Sequence, residues 1–214
     1  MLAHRRRRAP GRPQVKKSPG RFPRIVHHAL DVKGWLASPP LVESARPGAC
    51  PACAAASRPV GGPLGLHGHG FRDRQLRGPL DPDGAPTWIV IACRRYRCVT
   101  CGAVVTVVPR GIAPRRHYGH AAIAMAFALW AIAGRPVAEV RRRVCAWPLS
   151  HDEPGRWPTL ERWARAAQTA FADATLSLAG AAARVAQAAI GRAPPALRHV
   201  PRWAQAFAGG SAMP

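Results

Sequence analysis

Acidic residues are what this chain has least of among its charges. Ten Asp and Glu stand against 32 Lys and Arg, for a formal net charge of +22, and no carboxylate side chain follows Asp173. A balance that lopsided predicts a polyanionic partner: DNA, RNA or an anionic membrane surface. Long apolar runs are also missing. The most apolar stretch, 121–133, is Ala-rich and shorter than the roughly 20 residues a membrane span requires, so no membrane is expected among the partners. The basic N-terminus lacks the apolar stretch of a signal peptide, and its prolines spoil the amphipathic helix of an organelle transit peptide. Neither a Gly-rich phosphate loop nor a nucleophile with its base is present. These absences argue against an enzyme and leave no catalytic residue to name.

Cysteine is present in a telling arrangement. Cys50-Pro51-Ala52-Cys53 and Cys98-Val99-Thr100-Cys101 are two doublets, each with two residues between its thiols. That spacing lets one tight turn aim both sulfurs at a single metal, and four thiolates complete a closed tetrahedral site. The expected cofactor is therefore one structural Zn2+ on Cys50, Cys53, Cys98 and Cys101. Gly102 can supply the positive φ such a knuckle demands, whereas Ala54 follows the first doublet. A redox role for either doublet and an added ligand from His67 or His69 stay open as alternatives. Cys93 and Cys145 read as buried small hydrophobes. Cysteines grouped for metal, without an export signal, fit a reducing compartment, and the expected location is cytoplasmic, on the nucleoid.

Taken in order, the chain divides into four parts with an α+β fold class. Residues 1–28 are basic, acid-free and broken by Pro10, Pro13, Pro19 and Pro23, so they read as a disordered tail that lies along phosphates. Its Gly11-Arg12-Pro13 has the core of an AT-hook without the leading Arg. Residues 46–110 read as a zinc ribbon, a small antiparallel sheet of three strands over 71–76, 87–96 and 103–108, with turn chemistry at Asp81-Pro82-Asp83-Gly84. A mixed segment, 25–42, packs against this ribbon, with Trp35 as anchor. Arg72, Arg74, Arg77, Arg94, Arg95 and Arg97 form either a phosphate-contacting surface or solvated strand edges.

Residues 114–170 read as a helical, helix-turn-helix-like domain. Helices are expected over 118–133 and 137–147, with Arg141 and Arg142 outward on the second. A third helix has Thr159 as N-cap. On it Leu160, Trp163, Ala164 and Ala167 share one face, while Arg162, Arg165 and Thr169 lie on another, as a recognition helix needs. Residues 171–214 read as an Ala-rich helix to Ile190, by default a continuation of the third helix, then a flexible Pro/Gly tail containing Trp203 and Phe207.

The run Arg95-Tyr96-Arg97-Cys98-Val99-Thr100-Cys101-Gly102, then Val107-Val108-Pro109-Arg110 and Arg115-Arg116-His117-Tyr118, resembles a known region. It is similar to the N-terminal zinc-ribbon and helix-turn-helix part of bacterial insertion-sequence transposases and of related uncharacterised families. The likeness runs from about residue 50 to 170. It implies a DNA-binding protein that contacts duplex DNA through Arg94, Arg95, Arg97, Arg115, Arg116, Arg141, Arg142, Arg162 and Arg165. Transposases cut strands with three carboxylates around two metals. The acids here fall in turns, beside arginines, or in the DNA-binding part, so the resemblance implies the recognition half without the nuclease domain. A catalytic transposase acting in trans or a second copy is the further partner it allows. Other readings are a protein-interaction module, an RNA-binding module in which Tyr96 stacks a base, and a non-functional remnant of a mobile element.

Overall fold

The structure is a computed structural model, and it describes residues 24–113, 116–147, 156–173 and 175–213. The basic tail up to residue 23 and the acidic loop carrying Asp152 and Glu153 lie outside the described residues.

The described chain is α+β: a mixed four-stranded sheet followed by a layer of helices. The strands are β1 (Ile25–Asp31), β2 (Leu66–Gly78), β3 (Thr87–Cys98) and β4 (Val104–Arg110), in the order β1-β4-β3-β2. β2 and β3 form a long antiparallel hairpin, from Leu66↔Cys98 to Gly78↔Thr87. β-branched and aromatic residues in β3 suit the pleated surface, and the hairpin turn closes with Gly84 N donating to Asp81 O at 3.1 Å. The register slips between Gly68 and Phe71, where Gly70 takes φ 74°. The extra residue is a β-bulge at a position that needs left-handed backbone.

The expected three-stranded antiparallel sheet is thus corrected to four strands. β1 pairs with β4 in parallel, Ile25↔Thr106 through His27↔Val108. Residues 25–28, expected as the end of a disordered tail, form strand because the prolines stop at Pro23 and an apolar edge awaits them. Val105, Val107 and Val108 of β4 are all buried, which requires cover on both faces. Directly after β1, Asp31 caps α1 (Val32–Ala37) by accepting from Gly34 N at 2.8 Å. Trp35 is 1% exposed and its Nε1 donates to Ala92 O at 3.1 Å. The expected anchoring role of Trp35 holds.

The helical layer begins with α2 (His120–Phe127), which continues into one π turn, Ala128–Ile132, and stops at Gly134 with φ 63°. Residues 122 to 127 are all buried, the pattern of a helix surrounded by others rather than lying on a surface. Around it stand α3 (Val137–Val144), α4 (Pro158–Phe171), α5 (Leu178–Ile190) and α6 (Arg202–Ser211). Trp163 of α4 is the aromatic hub, with ring centroids 4.9 Å from Tyr118, 5.3 Å from Trp157 and 6.5 Å from Phe127. These are edge-on contacts, the favoured geometry for aromatic rings.

Three expectations for this half are corrected. Thr159 is not the cap of α4. Trp157 holds that position with no side-chain bond, and the Thr159 hydroxyl accepts from Arg162 Nη2 at 3.0 Å. The Ala-rich α5 does not continue α4, because Ala172 turns left-handed (φ 51°) and Ser177 starts a new helix by accepting from Gly180 N at 3.0 Å. Within the expected flexible tail, Arg202–Ser211 form α6, which packs against α2 and α5 and buries Ala206 and Phe207. Gly209 and Gly210, within the expected Pro/Gly tail, are there for close approach. A Cβ on Gly209 would lie 1.8 Å from Ala189 O, and one on Gly210 would lie 2.8 Å from Ala121 Cα. The helix end then reaches the sheet, where Gly111 N donates to Met213 O at 3.1 Å. At the same seam His120 is pushed down to about 4, chiefly by burial and secondarily by the neighbouring His27.

Overpacking of this kind cannot relax by rotamer change, because the obstructing atoms are backbone. Gly209→Ala is expected to destabilise the protein by roughly 3 kcal/mol or more in urea unfolding. Gly191→Ala, whose Cβ would sit 3.5 Å from Gln187 O in ordinary contact, is expected to be close to neutral. Equal stability of the two variants would remove α6 from the core.

Candidate metal centre and basic surface

Two loops deliver the four expected cysteines. In the first, Cys50 N donates to Ala55 O at 2.9 Å and Ala54 N to Cys50 O at 2.8 Å; in the second, Cys98 N donates to Ala103 O at 2.9 Å and Gly102 N to Cys98 O at 3.0 Å. The loops are built alike bond for bond, and each ends on a left-handed residue: Ala54 at φ 58° and Gly102 at φ 73°. Ala54 therefore does the job of a glycine with a Cβ in place, in a region that costs a non-glycine residue about 1–2 kcal/mol.

The four Sγ atoms all lie within 4.8 Å of one another. Cys50 Sγ is 3.8 Å from Cys101 Sγ, and Cys53 Sγ is 3.7 Å from Cys98 Sγ. A tetrahedron of sulfurs around a metal at about 2.3 Å has edges of about 3.8 Å, so the donor set fits one tetrahedral ion. Cys50 and Cys98 are buried and Cys53 is exposed, which places the cluster at the surface end of the sheet core. His67 and His69, held open as extra ligands, are exposed and stand outside the cluster.

Electrostatics explain why the cluster calls for a cation. Burial pushes the Cys98 thiol up, but the N–H groups of Cys101 and Thr100 and the thiols of Cys53 and Cys101 outweigh it and hold it at about 7. Ala55 N–H pulls Cys53 down, but burial and the thiols of Cys101, Cys98 and Cys50 overcome it and push it up to about 12. One thiolate is thus favoured at the expense of its neighbours. A bound divalent ion removes that competition and lets all four deprotonate. Cys93, by contrast, is fully buried and raised to about 11 by burial. It lies apart from the cluster, as the expected small hydrophobe. Cys145 is half-buried just past α3, where its Sγ accepts from Tyr118 Oη at 3.3 Å.

The arginines expected to meet DNA divide into committed and open groups. Arg94 is half-buried: its Nε donates to Pro40 O at 2.5 Å and its guanidinium lies 4.6 Å from the Phe71 ring centroid. Arg74 points inward, with Nη2 donating to Ala113 O at 2.6 Å and to Arg116 O at 3.1 Å. That corrects its place on the expected contact surface. Arg95 and Arg116 are half-buried, and Arg97 is exposed opposite His67. Arg115 lies outside the described residues. On the helices, Arg142, Arg162 and Arg165 are exposed and Arg141 is half-buried.

Four guanidinium-bearing residues come together between the hairpin and the helices. Arg77, Arg141, Arg156 and Arg162 line one cleft with Tyr118, Trp147 and Trp157, and no Asp or Glu is among the described residues lining it. The Nε atoms of Arg77 and Arg141 are buried without a hydrogen-bond partner among the described residues. Arg156 Nε lies 3.3 Å from Glu161 Oε1, an exposed pair of the kind that contributes little. Arg156 escaped the sequence reading because it belongs to no helix period; its charge matters only where the fold puts it. Tyr96, expected in the RNA reading to stack a base, is fully buried, and its hydroxyl donates to Val42 O at 2.6 Å. That expectation is corrected: segment 40–46 lies over the ring.

The fold and site define a four-cysteine α+β protein that can hold one metal ion. Residues 50–145 match the sequence model of a family described as a domain of unknown function, DUF6431. That match runs from the first metal cysteine to the residue after α3, and so contains both knuckles and the hairpin between them. No curated protein and no solved structure matches the chain. Among the described residues, no helix is long and apolar enough to cross a membrane.

Two outcomes are expected here. Cys98→Ser should lose the bound metal while Cys93→Ser keeps it, as read by metal content of the purified protein; equal content would exclude the cluster as the ligand set. Opposite signs are expected at the two left-handed positions. Gly102→Ala should destabilise by about 1 kcal/mol. Ala54→Gly should stabilise by roughly 0.5 kcal/mol, once the added freedom of the unfolded chain is subtracted. Chemical unfolding of the metal-loaded protein checks both.

Proposed function

We propose that the protein is a DNA-binding module of transposase type whose fold is held by one structural zinc ion. An all-thiolate, closed donor set favours zinc among the common divalent ions and leaves no coordination position for a substrate. The metal's role in this reading is to brace the end of the β2–β3 hairpin, far along the chain from the helices that meet DNA.

The observation that carries the reading is the cleft of Arg77, Arg141, Arg156 and Arg162. The Nε groups of Arg77 and Arg141 have no acceptor among the described residues; such groups are costly to bury, and phosphate is the ligand whose oxygens match guanidinium donors in bidentate geometry. The net charge of +22 supplies the long-range attraction and predicts steep salt dependence. α3 and α4 supply the helix-turn-helix: α4 buries Leu160, Trp163 and Ala164 and leaves Arg162, Arg165 and Thr169 exposed. In this assignment α4 is the recognition helix and Arg142 on α3 meets the backbone. The transposase resemblance supports duplex DNA over other polyanions.

Selection from a random duplex pool with metal-loaded protein at near-physiological salt tests the proposal. An enriched motif is expected. Arg162→Ala should weaken binding to that motif by about tenfold, an effect of ~1–3 kcal/mol for a base contact, and binding to random duplex much less. Equal losses on both would demote α4 to backbone contact, and no binding to any duplex would end the DNA reading.

A further inference from the structure

We infer that the outer face of the β2–β3 hairpin is a stacking platform for unpaired DNA bases, formed by Phe71, Trp88 and Trp147 with Arg94 and Arg77. This rests on the proposed DNA binding and names a second feature of the DNA: a segment whose bases are exposed.

The face follows from register. Directly opposed residues in an antiparallel pair share a side, and Phe71↔Arg94, Asp73↔Ala92, Gln75↔Val90 and Arg77↔Trp88 are opposed. The alternate positions Leu76, Ile91 and Cys93 enter the core. From Phe71 to Trp88 the outer side exposes large apolar side chains among polar ones: Phe71 is 52% exposed, Val90 49%, Trp88 48% and, just beyond the strands, Trp147 51%. Exposed large rings gathered on one face mark an interaction surface rather than ordinary surface scatter. The Trp88 and Trp147 centroids are 6.4 Å apart at an interplanar angle of 55°. They are neighbours but do not stack on each other, so each keeps a free side.

Each end of the face also carries a cation. Arg94 sits 4.6 Å from the Phe71 centroid and Arg77 5.4 Å from the Trp147 centroid. Rings for bases with guanidiniums for the linking phosphates are the two ingredients of single-strand recognition. From the Phe71 pair to the Trp88 pair the face extends about 20 Å, at ~3.3 Å per residue. Asp73 is the one acid among the eight opposed residues. Arg77 also lines the arginine cleft, so the platform continues into the surface assigned to duplex phosphates. Two copies of the face would bring like charges together at both ends, which disfavours a homodimer as its occupant.

The test compares a blunt duplex, the same duplex with a single-stranded tail, and the free tail strand, binding to metal-loaded full-length protein by fluorescence anisotropy. The tailed duplex is expected to bind about tenfold tighter than the blunt one, the scale of one stacked base. Trp88→Ala should erase that preference while leaving blunt-duplex affinity within about twofold, and Trp88→Phe should keep most of it. Arg162→Ala should weaken both duplexes alike. Equal binding of tailed and blunt duplex by the wild type would overturn the inference, as would equal losses on both in Trp88→Ala. A Trp88-dependent dimer without DNA would also overturn it. Trp88-dependent binding of the free strand with no duplex binding would keep the platform and discard the duplex reading. Tighter binding of the same strand as RNA would likewise keep base stacking and move the partner to RNA.

Discussion

The convergence of four thiols on one small volume is the constraint from which the rest of the sheet takes its shape. Cys50 and Cys53 belong to a loop ahead of the hairpin, while Cys98 ends β3 and Cys101 follows it. Bringing them within 4.8 Å draws the segment before β2 across the end of β3. That segment then stays over the sheet by its own bonds. Arg46, with a side chain only 4% exposed, pairs with Glu43 and donates Nη1 to Leu66 O at 2.5 Å, and its guanidinium lies 5.8 Å from the Tyr96 centroid. A close approach seals the arrangement, since a Cβ on Gly68 would stand 2.8 Å from a Val42 methyl. A small sheet with one core of its own has little apolar area to hold such a loop, and a metal ion held by the four thiols would add free energy that burial alone does not.

The helical half is organised by the opposite device, the absence of side chains. α2, α5 and α6 are rich in Ala and Gly, and Ala124, Ala126, Ala181, Ala182, Ala186 and Ala189 are essentially inaccessible. Small residues let backbones come near enough that dispersion contacts replace the bulk of Leu or Ile. The large side chains concentrate where α4 meets α2, in Trp157, Trp163, Tyr118 and Phe127. One side of α4 is thereby fixed against the core while its arginines stay free, a division that does not depend on what those arginines bind.

Charge is distributed with the same logic. Arginines whose guanidinium is spent on backbone carbonyls, such as Arg46 and Arg74, are structural; they satisfy carbonyls at strand ends and loop crossings. Arg77, Arg141, Arg156 and Arg162 instead meet in the cleft beside α4, and Arg77 also stands on the hairpin's outer face opposite Trp88. Aromatic rings recur along that same path, so polyanion attraction and apolar contact are offered together rather than on separate surfaces.

Sequence by itself determined the four-cysteine donor set, because two residues between thiols make a turn whose geometry is local. It determined the hairpin through β-branched runs around Asp81-Pro82-Asp83-Gly84, and the buried face of α4 through helical periodicity. Even Trp35 was legible as an anchor, since a lone large ring in a short segment has few other uses. Tertiary structure alone decided the rest. β1 became a strand because β4 offered an apolar edge to pair with, a nonlocal reward that no propensity of residues 25–31 expresses. Gly209 and Gly210 became part of a helix because Ala189 and Ala121 lie against them, where any Cβ would collide with backbone. Tyr96 was hidden and Trp88 left open by the path of a single loop. The arginines of one cleft come from β2, α3 and the start of α4, and only packing could decide which charges would meet.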